Sequence, residues 1–561
     1  MSQIEPPSGG QAGHGLTLEV TADEGHREAM ARATRGILGH PMLRQHFPSG
    51  DLWLVGFDIV DKHDGDGPRF TSTVHDTVTG RAVRVDGWLD DPESILLEPT
   101  AQQRPPSEDE RAWALSVLAD DPEIAALLAE DGASTYRPLP GLANIELPDG
   151  TVERVITVGV RTGGAEPTHR VFGVRASDGE ILHGLPEAPV ATTADCGTVP
   201  GPDCAGPAGA DRARVRVLRD GSALWDLVVV RPRASSGTNG SGVELRTVDY
   251  KGQRLLSRAH LPIVTCRYGN EGGATGCGPA SRDWMYEEAC FTAEGSEPVA
   301  GFRVCADRPG TILETGVDGG SFRGVALWLD GEELVLVSQL QAGWQRYVNE
   351  WRLVADGTLR PRVGFAAASN PCTCRPHRHH AYWRLDIDVL DAGGNVVQEY
   401  NDPPILGTSN WHTVRYEVRR ARSARHGRYW RVRNFKASQG YAIRPGEQDG
   451  TADDYGAGDV WILRYHPDEV DDGEGSSTDV VRSRAALDRL VSGESVERQD
   501  VVIWYAAHVD HGPGGSAAGA PLVGPDLVPS QWKERPPEQV SFGRLEPPSE
   551  EELRPPAPPS S

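Results

Sequence analysis

The stretch Pro376-His377-Arg378-His379-His380-Ala381-Tyr382-Trp383-Arg384-Leu385-Asp386-Ile387-Asp388 decides how this chain is read. Its first half is a His-x-His pair, and the residues after it alternate in the manner of a β-strand. Side chains on a strand repeat every two residues, so His377 and His379 project from one face. Paired imidazoles suit zinc, copper, iron or nickel, and a third imidazole from a distant strand completes a three-nitrogen site. His511, far downstream, is the candidate for that third position. Taken alone, Arg375, His377, Arg378, His379 and His380 read as a cationic segment covered by solvent. The rest of the sequence favours the ligand reading.

The 561 residues exceed one domain, and about two to four are expected. A hydrophobic content of 38% with 14 Trp is enough for well-filled cores. Sixty-five Gly and 43 Pro supply many turns, and Val-rich runs with few long periodic helices indicate a mainly β protein. A net charge of −25 argues against nucleic acid as a partner, because phosphates are met by basic patches. Residues 1–15 are polar and Gly/Pro-rich, without the basic start and apolar core of a signal peptide. No stretch approaches the roughly 18 apolar residues of a membrane span. A soluble cytoplasmic protein is therefore expected, with no membrane partner. The eight cysteines lie as near neighbours in sequence, Cys196/Cys204, Cys266/Cys277, Cys290/Cys305 and Cys372/Cys374. Without an export signal they are expected to be reduced. None is spaced C-x-x-C, which argues against a structural zinc site.

Along the chain, a disordered N-terminus (1–15) precedes a small α/β unit at 16–100. There a helix begins at Thr21-Ala22-Asp23-Glu24 and reaches about Leu38, with strands at 51–60, 69–76 and 80–88. After the break at Arg104-Pro105-Pro106 a second small α/β unit (105–185) has helices at 107–119 and 121–130. Its strands fall near 142–147, 152–161 and 169–175, with a turn at Pro148-Asp149-Gly150. The shared order of helix then strands suggests a duplicated fold. Residues 186–212 read as a linker, and 213–531 as a large β-sandwich with turns at Asp330-Gly331, Asp356-Gly357 and Gly393-Gly394. Residues 532–561 form a Pro-rich tail.

The sandwich block resembles the catalytic domain of copper amine oxidases, quinone-dependent enzymes that oxidise primary amines to aldehydes. The pieces occur in order: His377 and His379, then Arg384-Leu385-Asp386 and Asp388 after four residues; Arg431-Val432-Arg433-Asn434; Gly440-Tyr441 leading to Pro445-Gly446; the strand Asp459-Val460-Trp461-Ile462-Leu463-Arg464-Tyr465 with Glu469 behind it; and Asp500-Val501 eleven residues before His511. The resemblance covers roughly 240–531 and extends faintly to the small α/β units. It implies copper held by His377, His379 and His511. It also implies a homodimer built on the large β domain, and a second cation, calcium or manganese, held by Asp386, the Ile387 carbonyl, Asp388, Asp500 and the Val501 carbonyl. Oxygen-only ligands with three carboxylates are what such hard cations prefer. The plainer reading of the aspartates is that they close turns at strand ends.

The family makes its topaquinone cofactor from one of its own tyrosines. That tyrosine precedes a Trp by six residues and the Gly of an Asp-Gly turn by twelve; counted back from Trp351 and Gly357, both spacings end on Gln345. Glutamine cannot be hydroxylated to a quinone, so topaquinone is not expected. Tyr347 sits on the same strand face two positions on and serves only if the register slips by two. The tyrosine that bonds the quinone corresponds to Tyr268 or Cys266. The nearest aspartate to the family's catalytic base is Asp283, which lacks the family's Gly-rich flanks and reads more readily as a surface residue.

Three functions are consistent with the resemblance. The first is a copper-dependent oxidoreductase that works on a small-molecule substrate without the quinone. The second is a non-catalytic copper-binding or scaffold protein, since fold does not fix function. The third is an orthodox primary-amine oxidase. The sequence contains no Gly-x-Ser-x-Gly elbow, P-loop or His-Glu-x-x-His helix.

Overall fold

A computed structural model describes residues 15–533 except 49, 51, 61–68, 77–80, 89–90, 101–105, 107, 139–141, 147–151, 163–168, 184–195, 200, 202–203, 205–208, 269–278, 478 and 513–520. The terminal segments 1–14 and 534–561, the Pro148-Asp149-Gly150 turn, Cys277 and most of the expected linker lie outside the described residues.

Two large antiparallel-rich sheets face each other. One has ten strands, running in space through Leu16–Ala22, Arg212–Arg219, Ser222–Val230, Glu244–Tyr250, Gln253–Tyr268, His377–Ile387, Val501–His511, Val460–Arg464 and Val418–Arg420. The short strand Ala280–Asp283 pairs beside Gln253–Tyr268. The other sheet has eleven strands, with Gln345–Val354 between Glu333–Ala342 and Leu359–Ala367. Trp225, Leu256, Trp383 and Tyr505 from the first sheet meet Leu340, Tyr347, Trp351 and Ile443 from the second in one continuous core. The buried indoles also find acceptors across the layers, Trp225 Nε1 on the Val354 carbonyl (3.0 Å) and Trp351 Nε1 on the Val243 carbonyl (2.8 Å).

The outer faces are covered as well. Ile263, Tyr382, Trp461 and Trp504 form a second cluster behind the ten-stranded sheet, and Phe291, Trp328, Val337 and Val348 form one behind the eleven-stranded sheet. Central strands are therefore buried on both sides and lose strict apolar/polar alternation. In His377–Ile387 only Arg378 is not fully buried.

The Asp356-Gly357 turn fixes the register of Gln345–Val354. Gly357 has φ +98°, and a Cβ there would lie 2.5 Å from the Tyr250 ring, so only glycine fits. This pins Gln345 opposite Ala367 and Tyr347 opposite Phe365.

The small units each place two helices on an antiparallel sheet. Helices Glu24–Gly39 and Pro41–His46 pack on four strands, and Glu108–Asp120 and Pro122–Leu128 pack on five. In both, a capped proline opens the second helix: His40 Nδ1 accepts from Met42 N–H, and Asp121 Oδ1 accepts from Glu123 and Ile124 N–H. The first unit does not include its expected start. Leu16–Ala22 pairs with Arg212–Arg219 in the large sheet, because Leu16, Leu18 and Val20 alternate into the sandwich core.

The expectation of reduced cysteines is corrected. Cys196 bridges Cys374 and Cys204 bridges Cys290, while Cys266 and Cys305 are free and buried. The bonded partners are remote in sequence, so pairing by proximity along the chain misses them. The bridges, with β-type contacts from Cys196 to Asn370 and Thr198 to Ala368, tie the described part of the linker onto the sandwich. Among the described residues no helix is long and apolar enough to cross a membrane.

Candidate metal centre

Three neighbouring strands build the site by their register. Tyr268 lies opposite His377, which lies opposite His511; one step along, Cys266 lies opposite His379. Residues directly opposite each other share a face, so all five side chains project into the space between the large sheets. The imidazole centroids are 4.9 Å apart for His377 and His379, 4.8 Å for His377 and His511, and 5.8 Å for His379 and His511. Single ligand atoms of Cys266, His377 and His379 all lie within 4.8 Å of one another.

Hydrogen bonds set the tautomers. His377 Nδ1 is 2.8 Å from the Arg375 carbonyl, which can only accept, so Nδ1 carries the proton and Nε2 keeps its lone pair. His511 Nδ1 lies 3.0 Å from that Nε2 and donates to it. His379 is 0% exposed, and neither ring nitrogen has a partner. Its ring stacks on Phe365 (centroids 4.4 Å, interplanar 17°) and meets the edge of Tyr347 at 5.8 Å. Burial pushes the His377 and His379 pKa values down and that of His511 to about 4, with neighbouring imidazoles adding to the effect at His379 and His511. All three are neutral near pH 7, as metal ligands must be. A buried polar group left without a partner costs about 1–3 kcal/mol, and an ion is one way to supply the missing bond. The donor set thus fits a borderline or soft transition metal.

The facing layer supplies Gln345 and Tyr347. Gln345 Nε2 donates to Tyr268 Oη at 2.9 Å, and Trp344 Nε1 donates to the same oxygen at 2.8 Å. Gln345 Nε2 also lies 4.0 Å from Cys266 Sγ, and its Oε1 is buried without a partner. Tyr347 donates its hydroxyl to Asp283 Oδ2. Asp283 is not the surface residue its flanks suggested: it is 0% exposed, because Ala280–Asp283 lies along the interior end of Gln253–Tyr268. Burial raises its carboxyl to about 6, against the hydrogen bond from Tyr347. Both Gln345 and Tyr347 reach the histidine cluster, one through Tyr268 and the other directly. The residues the sequence missed are Phe365 and Trp344, and Cys266 in its role beside the imidazoles; strand pairing reveals them, and nothing in their local sequence does.

His380 belongs to the other face. Its Nδ1 lies 2.7 Å from His508 Nδ1, with His508 Nε2 on the Gly458 carbonyl at 3.1 Å. On that face, further along the same strand, Asp386 and Asp388 join Asp500, with one carboxylate oxygen of each mutually within 4.8 Å. Asp388 accepts from Ser257, and Asp386 lies 3.9 Å from Arg384. The strand thus carries His377 and His379 on one face, and His380 with the carboxylate group on the other.

No protein-family model and no curated protein sequence matches the chain. Solved structures do. A copper-containing benzylamine oxidase from Hansenula polymorpha is similar at a TM-score of 0.56 and 11% identity, covering 92% of this chain and 98% of its own. An amine oxidase of Aspergillus nidulans stands at 0.52 and 13%, covering 94% and 90%. A lysyl oxidase of Pichia pastoris stands at 0.50 and 11%, covering 94% and 91%. At these identities the likeness is one of architecture, and over nearly its whole length this chain has the fold of the copper amine oxidases.

Proposed function

We propose that this protein is a copper-dependent oxidoreductase acting on a small molecule through copper held by His377, His379 and His511, without a peptidyl quinone. The observation that carries this reading is His379, fully buried among the other two imidazoles with both nitrogens unpartnered. Copper held by these residues would supply one-electron redox chemistry. The chain's own groups handle orientation and protons. Asp283, at about 6, is ionised near neutral pH and is suited to take a proton from a bound substrate group. Trp344 and Gln345 fix the Tyr268 hydroxyl with two donors, leaving its own hydrogen to be donated. Gln345 gives and receives hydrogen bonds but transfers no electrons.

A second reading, orthodox amine oxidation through Tyr347, draws support from the Tyr347–Asp283 hydrogen bond beside His379. Purified, copper-loaded protein separates the two. The expected result is stoichiometric copper, no quinone stain, no phenylhydrazine adduct and no benzylamine- or phenethylamine-dependent peroxide. Peroxide release that is lost in Tyr347→Phe and kept in Gln345→Ala would transfer the function to the second reading. Copper bound with no oxygen-dependent turnover of any substrate would leave a copper-binding scaffold.

The Asp386, Asp388 and Asp500 group is taken as the site of a hard cation such as calcium, which would stiffen the strand carrying His377 and His379. The assembly is taken to be a homodimer on the large β domain, where a two-fold partner would cover exposed strand edges. Sedimentation at micromolar concentration should give about twice the 60.6 kDa chain mass, and a monomer would end that expectation. The two disulfides favour use in an oxidising compartment over the cytoplasm expected from sequence.

A further inference from the structure

We propose that Cys266 is itself a ligand of this centre, so that the metal is held by one thiolate together with the imidazoles of His377 and His379, His511 approaching through His377. The inference rests on the metal-site reading above and changes its chemistry.

Three observations carry it. Cys266 is one of the two described free cysteines, 0% exposed, and lies directly across the strand pair from His379. Its sulfur belongs to the same close-set group of ligand atoms as His377 and His379, all within 4.8 Å. A metal with bonds of about 2.3 Å to sulfur and 2.0–2.1 Å to nitrogen draws its ligand atoms to roughly 4 Å or less, so little movement is needed. Finally, His379 is buried inside this group with two unpartnered ring nitrogens, and the Gln345 side chain, whose Nε2 lies 4.0 Å from the sulfur, has a buried, unpartnered Oε1. A cysteine placed there only to fill space would not leave these groups stranded around it.

Binding exchanges the sulfur–hydrogen bond for a sulfur–metal bond and releases one proton to solvent; no oxidant or reductant is consumed. A two-imidazole, one-thiolate set favours soft metals, copper(I) and zinc above all. The chemical class of ligand is thus a thiophilic d-block ion.

Cobalt(II), which a thiolate does not reduce, is the probe of choice, with copper as the second ion. The metal-free full-length protein titrated with cobalt(II) should develop an intense near-ultraviolet sulfur-to-metal charge-transfer band at one equivalent. That band should vanish in Cys266→Ala, with affinity falling at least about tenfold. It should persist in Cys305→Ala, which removes the other described free thiol, in the cluster behind the eleven-stranded sheet. X-ray absorption of the copper-loaded wild type needs no variant and should contain a sulfur shell near about 2.3 Å. Stoichiometric copper with a nitrogen- and oxygen-only shell, or a cobalt spectrum unaltered by Cys266→Ala, would overturn thiolate ligation while leaving the three-histidine reading in place. Failure of either ion to bind at all would overturn both.

Discussion

Replacing both Cys196 and Cys374 by alanine should lower the free energy of unfolding by about 4–5 kcal/mol, the largest single loss expected from any pair of small substitutions here. The bridge closes a loop of sequence separation 178, the longer of the two disulfide loops described. In the chain-entropy account the gain grows with the logarithm of that length, because the crosslink removes conformations from the unfolded chain. The native side adds to the effect. Cys374 ends the short helical turn Pro371–Cys374, and the His377 strand begins three residues later, so the bridge also anchors the start of the metal-bearing strand. Thr373 donates to the Cys196 carbonyl at the same junction. Denaturant titration of the double variant, oxidised and with the Cys204–Cys290 bridge intact, reads the change as a lowered midpoint. A midpoint equal to wild type would mean the crosslink constrains nothing that the packed sandwich does not already fix.

His379→Phe should have two effects of opposite sign. The apo-protein should gain about 1 kcal/mol, since an apolar ring of similar shape replaces one whose two unpartnered polar atoms are costly to bury. The position suits it, between the face of Phe365 and the edge of Tyr347. Metal binding should collapse. For wild type, free metal at about a thousand times the dissociation constant stabilises the fold by about 4 kcal/mol, and that rise should be absent in the variant. Thermal melts with and without copper measure both effects together. A variant that still binds stoichiometric copper with wild-type affinity would remove His379 from the centre. A loss of apo stability would mean that the imidazole is held by partners beyond those described.

Much of the architecture was legible because each element carried its own signal. The Val-rich runs and Asp-Gly turns indicated the mainly β class, and the His-x-His alternation defined one face of one strand. The helix at Pro122, expected over 121–130 and capped by Asp121, illustrates how local chemistry fixes a boundary, whereas the short helix Pro41–His46 was not expected. Relations between strands were harder to see. Nothing near Cys266 announces that it faces His379, since strand neighbours 113 residues apart are joined by sheet order alone. The same blindness put Asp283 at the surface and left the cysteines reduced. It also counted residues 16–22 into the first small unit and saw no strand there, because a strand's partner is chosen by global packing and not by its own residues. Gln345 was located by counting from Trp351 and Gly357, and Gly357, closed against Tyr250 with φ +98°, holds the turn from which that count is taken.

The pairing of Leu16–Ala22 with Arg212–Arg219 has a consequence for how the molecule can vary. Ala22 and Ala213 are direct partners, so the chain leaves the large sheet and re-enters it at the same point. Both small units are thereby guests spliced between two adjacent strands of a host, their entry and exit points side by side. A tight hairpin turn is all the host requires to join such ends. The parts of the modules turned away from the sandwich can therefore vary in size at this junction, so long as the Cys196 and Cys204 anchors on the return path and the Tyr136 and Arg137 contacts with the sandwich are kept. The periphery is free to diversify around an unchanged frame.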